Sequence, residues 1–152
     1  MSVDDLEHQQ EELMTHSPQE SMNRKIVQAA LESGTEDFTK FFTEIFTDST
    51  EWTIAGHGPV AGVYSGLADL HENAEKALFD RLDGPLAITP RGIWADGDDV
   101  IVRIDSTGRA ADGQPYNNSY LYILTMKDGK VVSGIEWLDL HAYYEIVERV
   151  TV

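Results

Sequence analysis

The run Tyr116-Asn-Asn-Ser-Tyr-Leu-Tyr-Ile-Leu-Thr-Met126, then Lys127-Asp-Gly-Lys130, then Val131-Val-Ser-Gly-Ile-Glu-Trp-Leu138 decides the fold. Successive side chains of a strand point to opposite faces, so Tyr116, Asn118, Tyr120 and Tyr122 share one side of the first segment. Asp-Gly between two runs of this kind signals a hairpin. In the second segment Val132, Gly134, Glu136 and Leu138 share a face, and Val131, Ser133, Ile135 and Trp137 share the other. A slip of one residue would therefore carry Glu136 to the opposite side of the sheet.

Working outward, the period of two extends upstream through Leu86 to Trp94 and Asp99 to Thr107, and downstream the second segment runs from Lys130 to Leu140. Turns at Asp96-Gly97-Asp98 and Ala111-Asp112-Gly113 join these runs into an antiparallel meander. Glu51 to Ala55 reads as a further short strand, followed by the loop Gly56-His57-Gly58-Pro59. The rest is helical in pattern. Met22, Ile26, Ala29 and Ala30 recur at helical spacing with Gly34 as a stop. Thr35 is the expected cap of a second helix whose face carries Phe38, Phe41, Phe42, Ile45 and Phe46, and that aromatic face reads as core packing. Ser65-Gly66 opens a third helix to about Leu82, and a short helix from His141 to Arg149 closes the chain. Helices first and long strands second give an α+β order, with helices covering the concave side of a curled sheet and leaving space for a small apolar ligand.

The 152 residues fit a single domain over 21–152, with 1–20 read as a polar N-terminal tail or a loosely docked helix. A net charge of −16 argues against nucleic acid and anionic membranes as partners. The N-terminus lacks the basic and apolar segments of a secretory signal, and no apolar run suits a membrane span, so a cytoplasmic protein is expected. With no cysteine in the chain, disulfides and thiolate catalysis are excluded. The five histidines are scattered, without metal-ligand spacing, and no phosphate-binding loop or nucleophile elbow occurs. Neither metal nor cofactor is expected.

The residues that invite a chemical reading are charges within apolar strands. In Asp99-Val-Ile-Val-Arg-Ile-Asp-Ser106, Ile101, Arg103 and Asp105 share one face, and both faces look largely apolar. Charges buried in such a strand must pair. Arg103 and Asp105, with Glu136 two strands on, are expected to form a triangle, either catalytic or a structural ion-pair network. His57, at a pocket mouth, is read as a proton shuttle or as an exposed loop residue. Trp52, Tyr116, Asn118, Tyr120 and Tyr122 either line a pocket or, for the tyrosines, pack against a second subunit.

Several stretches together resemble the SnoaL-like branch of the NTF2-like superfamily: Glu51-Trp-Thr-Ile54, Gly58-Pro59, Tyr64-Ser-Gly66, Tyr116 to Val132, and Gly134-Ile-Glu-Trp-Leu-Asp139. That superfamily also holds ketosteroid isomerases, polyketide cyclases and limonene-1,2-epoxide hydrolases. The resemblance runs from about Ile26 to Ile146. It implies an NTF2-like cone, N-terminal helices packed on a strongly curved antiparallel sheet around a pocket, a hydrophobic small-molecule ligand and a homodimer. It also implies cofactor-independent acid-base chemistry on a cyclic ketone, polyketide or epoxide, with a non-catalytic ligand-binding or dimerisation module as the alternative. By similarity to the epoxide hydrolases, Asp105 would be the general acid, Glu136 the base that activates water, and Arg103 the bridge between them. Two departures stand out: Glu136 replaces an Asp, and no Tyr-x-Asn pair occurs in Glu51-Trp-Thr-Ile54.

Overall fold

The computed structural model describes residues 16–152, so the reading of the first fifteen residues lies outside the described residues. Helix α1 spans Pro18–Ser33 and starts four residues before the Met22 expected from apolar spacing. The cause is a capping box: the Ser17 hydroxyl accepts the Glu20 amide, the Glu20 carboxylate accepts the Ser17 amide, and Pro18 occupies the first turn, where its missing N–H costs nothing. Residues 18–20 thus form the first turn of α1. Helix α2, Thr39–Ile45, is short. Its first turn is held by Asp37, which accepts the Thr39 amide and hydroxyl, whereas the expected cap, Thr35, donates its hydroxyl back to Leu31 O at the end of α1.

Strand β1, Glu51–Ile54, is followed by β2, Gly62–Ser65, a strand that the sequence reading did not assign; its last residue, Ser65, was expected to open the third helix. Helix α3 (residues 67–79) consists of Leu67–Leu70, a π turn at His71–Glu75, and Lys76–Phe79, so it stops short of Leu82. Then come β3 (Ala87–Asp96), β4 (Asp99–Arg109), β5 (Pro115–Lys127), β6 (Lys130–Leu138) and α4 (Leu140–Arg149), whose amino end is capped by the Asp139 carboxylate. The expected meander is present as β3 to β6. The sheet as a whole is mixed, in the order β2-β1-β6-β5-β4-β3, because β1 runs parallel to β6.

Two irregularities bend the sheet. Register shifts between Pro90 and Gly92 in β3, and at Thr125/Met126 against β6, each add a residue on one side of a ladder, which sharpens local twist. The second makes Val132 the extra residue. Val131 is therefore buried and Val132 exposed, the reverse of a strict alternation, while Gly134, Glu136 and Leu138 keep the face expected for them. The β5–β6 turn places Asp128 and Gly129 at φ +51° and +78°, the backbone that an Asp-Gly hairpin selects.

One face of the sheet packs under the helices. On β5 every inward residue from Tyr116 to Met126 is buried, and their alternates are not. The phenylalanines of the α2 region meet this face as one aromatic cluster: Phe46 lies 4.9 Å from Trp52, Trp52 lies 5.2 Å from Tyr122, and Phe38 lies 5.4 Å from Tyr120. Such edge-on contacts hold rings in fixed orientations beyond what area burial alone would do.

Candidate active site

Inside the helix-covered face lies a narrow chamber of about 50 Å³. That is room for a few waters, or for a ligand ring once side chains shift. Its walls are mostly aromatic and aliphatic, with Phe38, Phe42, Phe79, Tyr120 and Tyr122 among them, and two carboxyl groups face it: Glu136 from β6 and Glu75 from α3.

Glu136 is placed by strand register and held by a neighbour. Trp52 pairs with Gly134 across the parallel β1–β6 ladder, and its indole Nε1–H donates to Glu136 Oε1 at 2.9 Å. Burial pushes the Glu136 carboxyl up to about 7, while Trp52 and the Tyr122 hydroxyl favour the ionised form and restrain the rise. Gly134 makes this contact possible. A Cβ there would stand 2.4 Å from the Trp52 ring and 2.4 Å from Ile123 O. Gly134→Ala is expected to lose about 1–3 kcal/mol of stability, the usual range for overpacking, and to displace Trp52 from Glu136. Urea unfolding, together with the emission wavelength of the indoles, measures both.

Glu75 ends the π turn at His71–Glu75 and lines the chamber beside Ala74, Leu78 and Phe79. The Ala74 carbonyl, in the same turn, accepts from the Tyr143 hydroxyl of α4 at 2.8 Å. π turns of this kind occur often at functional sites. The Glu75 residue as a whole is half-buried, but its Oε1 is closed to solvent and has no hydrogen-bond partner in the protein. Burial, reinforced by the nearby charge of Glu136, pushes its carboxyl up to about 8.

The Arg103-Asp105-Glu136 triangle does not form. Arg103 and Asp105 do share a face with Ile101, as expected, but it is the outer face, and Arg103 is exposed there. Asp105 accepts from Arg91 at 2.9 Å and from Ser119 at 2.8 Å; these bonds, that of Ser119 foremost, hold its carboxyl below the usual range. Glu136 points to the other side of the sheet. The expectation failed because only one face of β4 is covered by helices, which leaves its charges nothing dry to pair in.

The remaining candidates divide. Tyr120 and Tyr122 line the chamber, and their burial keeps both hydroxyls protonated well past the ordinary tyrosine range. Trp52 stands behind Glu136 as its hydrogen-bond donor. Asn118 clasps the β6–α4 junction instead: its amide donates to Asp139 O and to the Tyr116 hydroxyl, and its Oδ1 accepts the Asp139 amide. Tyr116, buried as that partner, is not a chamber wall. His57 is exposed on its loop, away from the chamber, and its carbonyl accepts from Tyr144. The β5 tyrosines face inward and so are not available to a second subunit. Glu75 went unnoticed in the sequence, since Ala74-Glu-Lys-Ala-Leu78 reads as an ordinary helix surface and nothing in it announces a π turn.

Among the described residues no three His, Asp or Glu groups converge as a metal site, and no helix is long and apolar enough to cross a membrane.

An open, curved sheet wrapped on helices around an apolar chamber with inward acids defines a small-molecule enzyme or binding fold of the α+β cone type. Residues 24–134 match the SnoaL-like domain, and the chain belongs to that family. Among solved structures, it is similar to an NTF2-like protein from Burkholderia thailandensis E264, at 20% identity over 82% of this chain and 95% of that one, with a TM-score of 0.63. A protein of Jannaschia sp. CCS1, provisionally described as a SnoaL-like polyketide cyclase, matches at 19% identity over 90% and 98% of the two chains, with a TM-score of 0.67. TerC, crystallised with polyporic acid, matches at 22% identity over 83% and 98%, with a TM-score of 0.64. No curated protein matches the chain.

Proposed function

We propose that the protein is a cofactor-independent enzyme moving protons on a hydrophobic carbonyl compound, a cyclic ketone or polyketide, with Glu136 as base and Glu75 as acid. One observation carries this reading: two carboxyls face the same apolar chamber under unequal restraint, Glu136 fixed by Trp52 and Glu75 without a protein partner on Oε1. With burial placing them at about 7 and about 8, ionisation near neutral pH falls first on Glu136 and leaves Glu75 protonated. Enolisation needs that division of roles.

The Glu136 carboxylate takes a proton from the carbon beside the carbonyl. The electrons of that C–H bond form a C=C bond, and the carbonyl oxygen, gaining charge, is met by the Glu75 O–H. Returning the proton from Glu136 to another carbon isomerises the substrate. Attack of the enol carbon on a second carbonyl in the same molecule would close a ring. The likeness to the Jannaschia protein and to TerC supports a ligand of this general kind. Epoxide opening is less well supported, since the Arg103 and Asp105 that it would draw on face away from Glu136.

The test is exchange of α-hydrogens of cyclohexanone and 2-tetralone for deuterium, followed by NMR. The expected rate exceeds buffer and has a bell-shaped pH profile, rising as Glu136 ionises near pH 7 and falling as Glu75 ionises near pH 8. Binding of 2-tetralone with no acceleration would leave a non-catalytic carrier, a reading that the aromatic walls also suit.

The proposal extends to assembly as a homodimer through the outer face. Register aligns Trp94, Ile101, Ile123 and Ile135 in one row, with Leu121 and Trp137 in the next. Trp94, Trp137 and Leu121 are 53%, 43% and 40% exposed on a chain of net charge −16. A contiguous apolar patch on so charged a surface marks an association site. Sedimentation equilibrium is expected to give a dimer for the wild type and a monomer for the pair Leu121→Lys, Trp137→Glu; a monomeric wild type rejects the interface.

A further inference from the structure

The chamber is small for the substrates proposed, and it does not end at its own walls. Phe42 and Glu75 also line an open groove of about 450 Å³ between α2 and α3, whose other walls include Thr39, Thr43, Leu67, Ala68 and His71. Chamber and groove thus share two lining side chains. The π turn lies at that boundary, with His71 at its start on the groove side and Glu75 at its end facing both spaces.

We infer that the groove is the outer half of one binding site, and that the ligand is an elongated, mainly apolar molecule with its reactive ring in the chamber and its tail passing between Phe42 and Glu75 into the groove. This rests on the acid-base reading only for which end reacts. Sites for small organic ligands commonly run to about 300–1,000 Å³; the chamber of about 50 Å³ falls far below that range and the groove brings the combined site into it. The groove also specifies the tail. Leu67 and Ala68 give it an apolar floor, while Asp48 on its rim and the net charge of −16 disfavour an anionic substituent there. Glu75, at the neck, is placed to hydrogen-bond a ligand oxygen at the junction of ring and tail.

Calorimetric titration with 2-naphthol and 6-hexyl-2-naphthol tests this. Both carry the same ring and hydroxyl, and only the second has a tail. The wild type is expected to bind the hexyl compound at least tenfold more tightly, because the tail leaves water for the groove. Ala68→Trp fills the groove from an exposed helix position and is expected to bring the two affinities within twofold by weakening the hexyl compound; Thr43→Trp, from the opposite wall, should do the same. A hexyl preference that survives in both variants, or no preference in the wild type, overturns the inference. Deuterium exchange on cyclohexanone needs no tail, so loss of the groove reading and loss of the acid-base reading give separate results.

Discussion

Glu136→Gln is expected to fold as the wild type does and to lose about 10²- to 10⁴-fold in the rate of α-hydrogen exchange, the usual worth of a positioned general base. The reason for an intact fold is specific. The amide oxygen of a glutamine can accept the Trp52 Nε1–H that Glu136 now accepts at 2.9 Å, so the indole keeps its seat over Gly134. What is lost is a group that can take a proton. The informative control is Asp105→Asn. Asp105 lies on the outer face with Arg91 and Ser119, so its removal should leave exchange unchanged. If the two variants lost activity equally, the chemistry would lie on the outer face, and the chamber would be a packing feature. If neither lost activity, exchange would come from a group other than these carboxylates.

The contrast between Glu136 and Asp105 also shows what a sequence discloses. Strand alternation correctly separated Val102 from Arg103 and kept Glu136 with Gly134 and Leu138, because the period of two is a local property of the backbone. Which side of β4 would be covered by helices is a property of the whole sheet. Arg103 and Asp105 could be read as buried only because Ile101 beside them is apolar, and that apolar character belongs instead to the outer row with Trp94, Ile123 and Ile135. The same limit applies to Glu75. Its neighbours spell a helix, and neither the π turn nor the chamber that Glu75 faces leaves a composition signal. The start of α1 was missed for a different reason: Ser17, Pro18 and Glu20 form a capping box that apolar spacing alone overlooks. Strand β2 escaped notice because four residues, Gly62-Val-Tyr-Ser65, are too few to show a period; they form a strand because β1 supplies the partner.

Glu75→Gln is expected to stabilise the protein at alkaline pH and to change it little in acid. In the unfolded chain the Glu75 carboxyl ionises near 4.5, its ordinary value, whereas in the fold it holds its proton to about 8. Between those values the folded state binds more protons than the unfolded state, so stability falls with each step of rising pH. Below 4.5 both states are protonated and the carboxyl contributes nothing; above 8 the whole difference is present, up to about 5 kcal/mol at roughly 1.36 kcal/mol per pK unit. A glutamine removes the ionisation and with it this pH-dependent loss. Urea midpoints at pH 4 and pH 9 should therefore nearly coincide for variant and wild type at the first and diverge at the second, with the variant the more stable. Comparing the two proteins at each pH cancels the general repulsion among the remaining acids, which grows over the same range in both. The variant should also lose exchange activity, since the group that meets the carbonyl oxygen can no longer release a proton. Gain of stability with loss of rate is the pattern of a residue kept for chemistry at the expense of the fold. A variant less stable than the wild type at pH 9 would mean that the ionised Glu75 has a partner in the protein, and its role as the acid would fall.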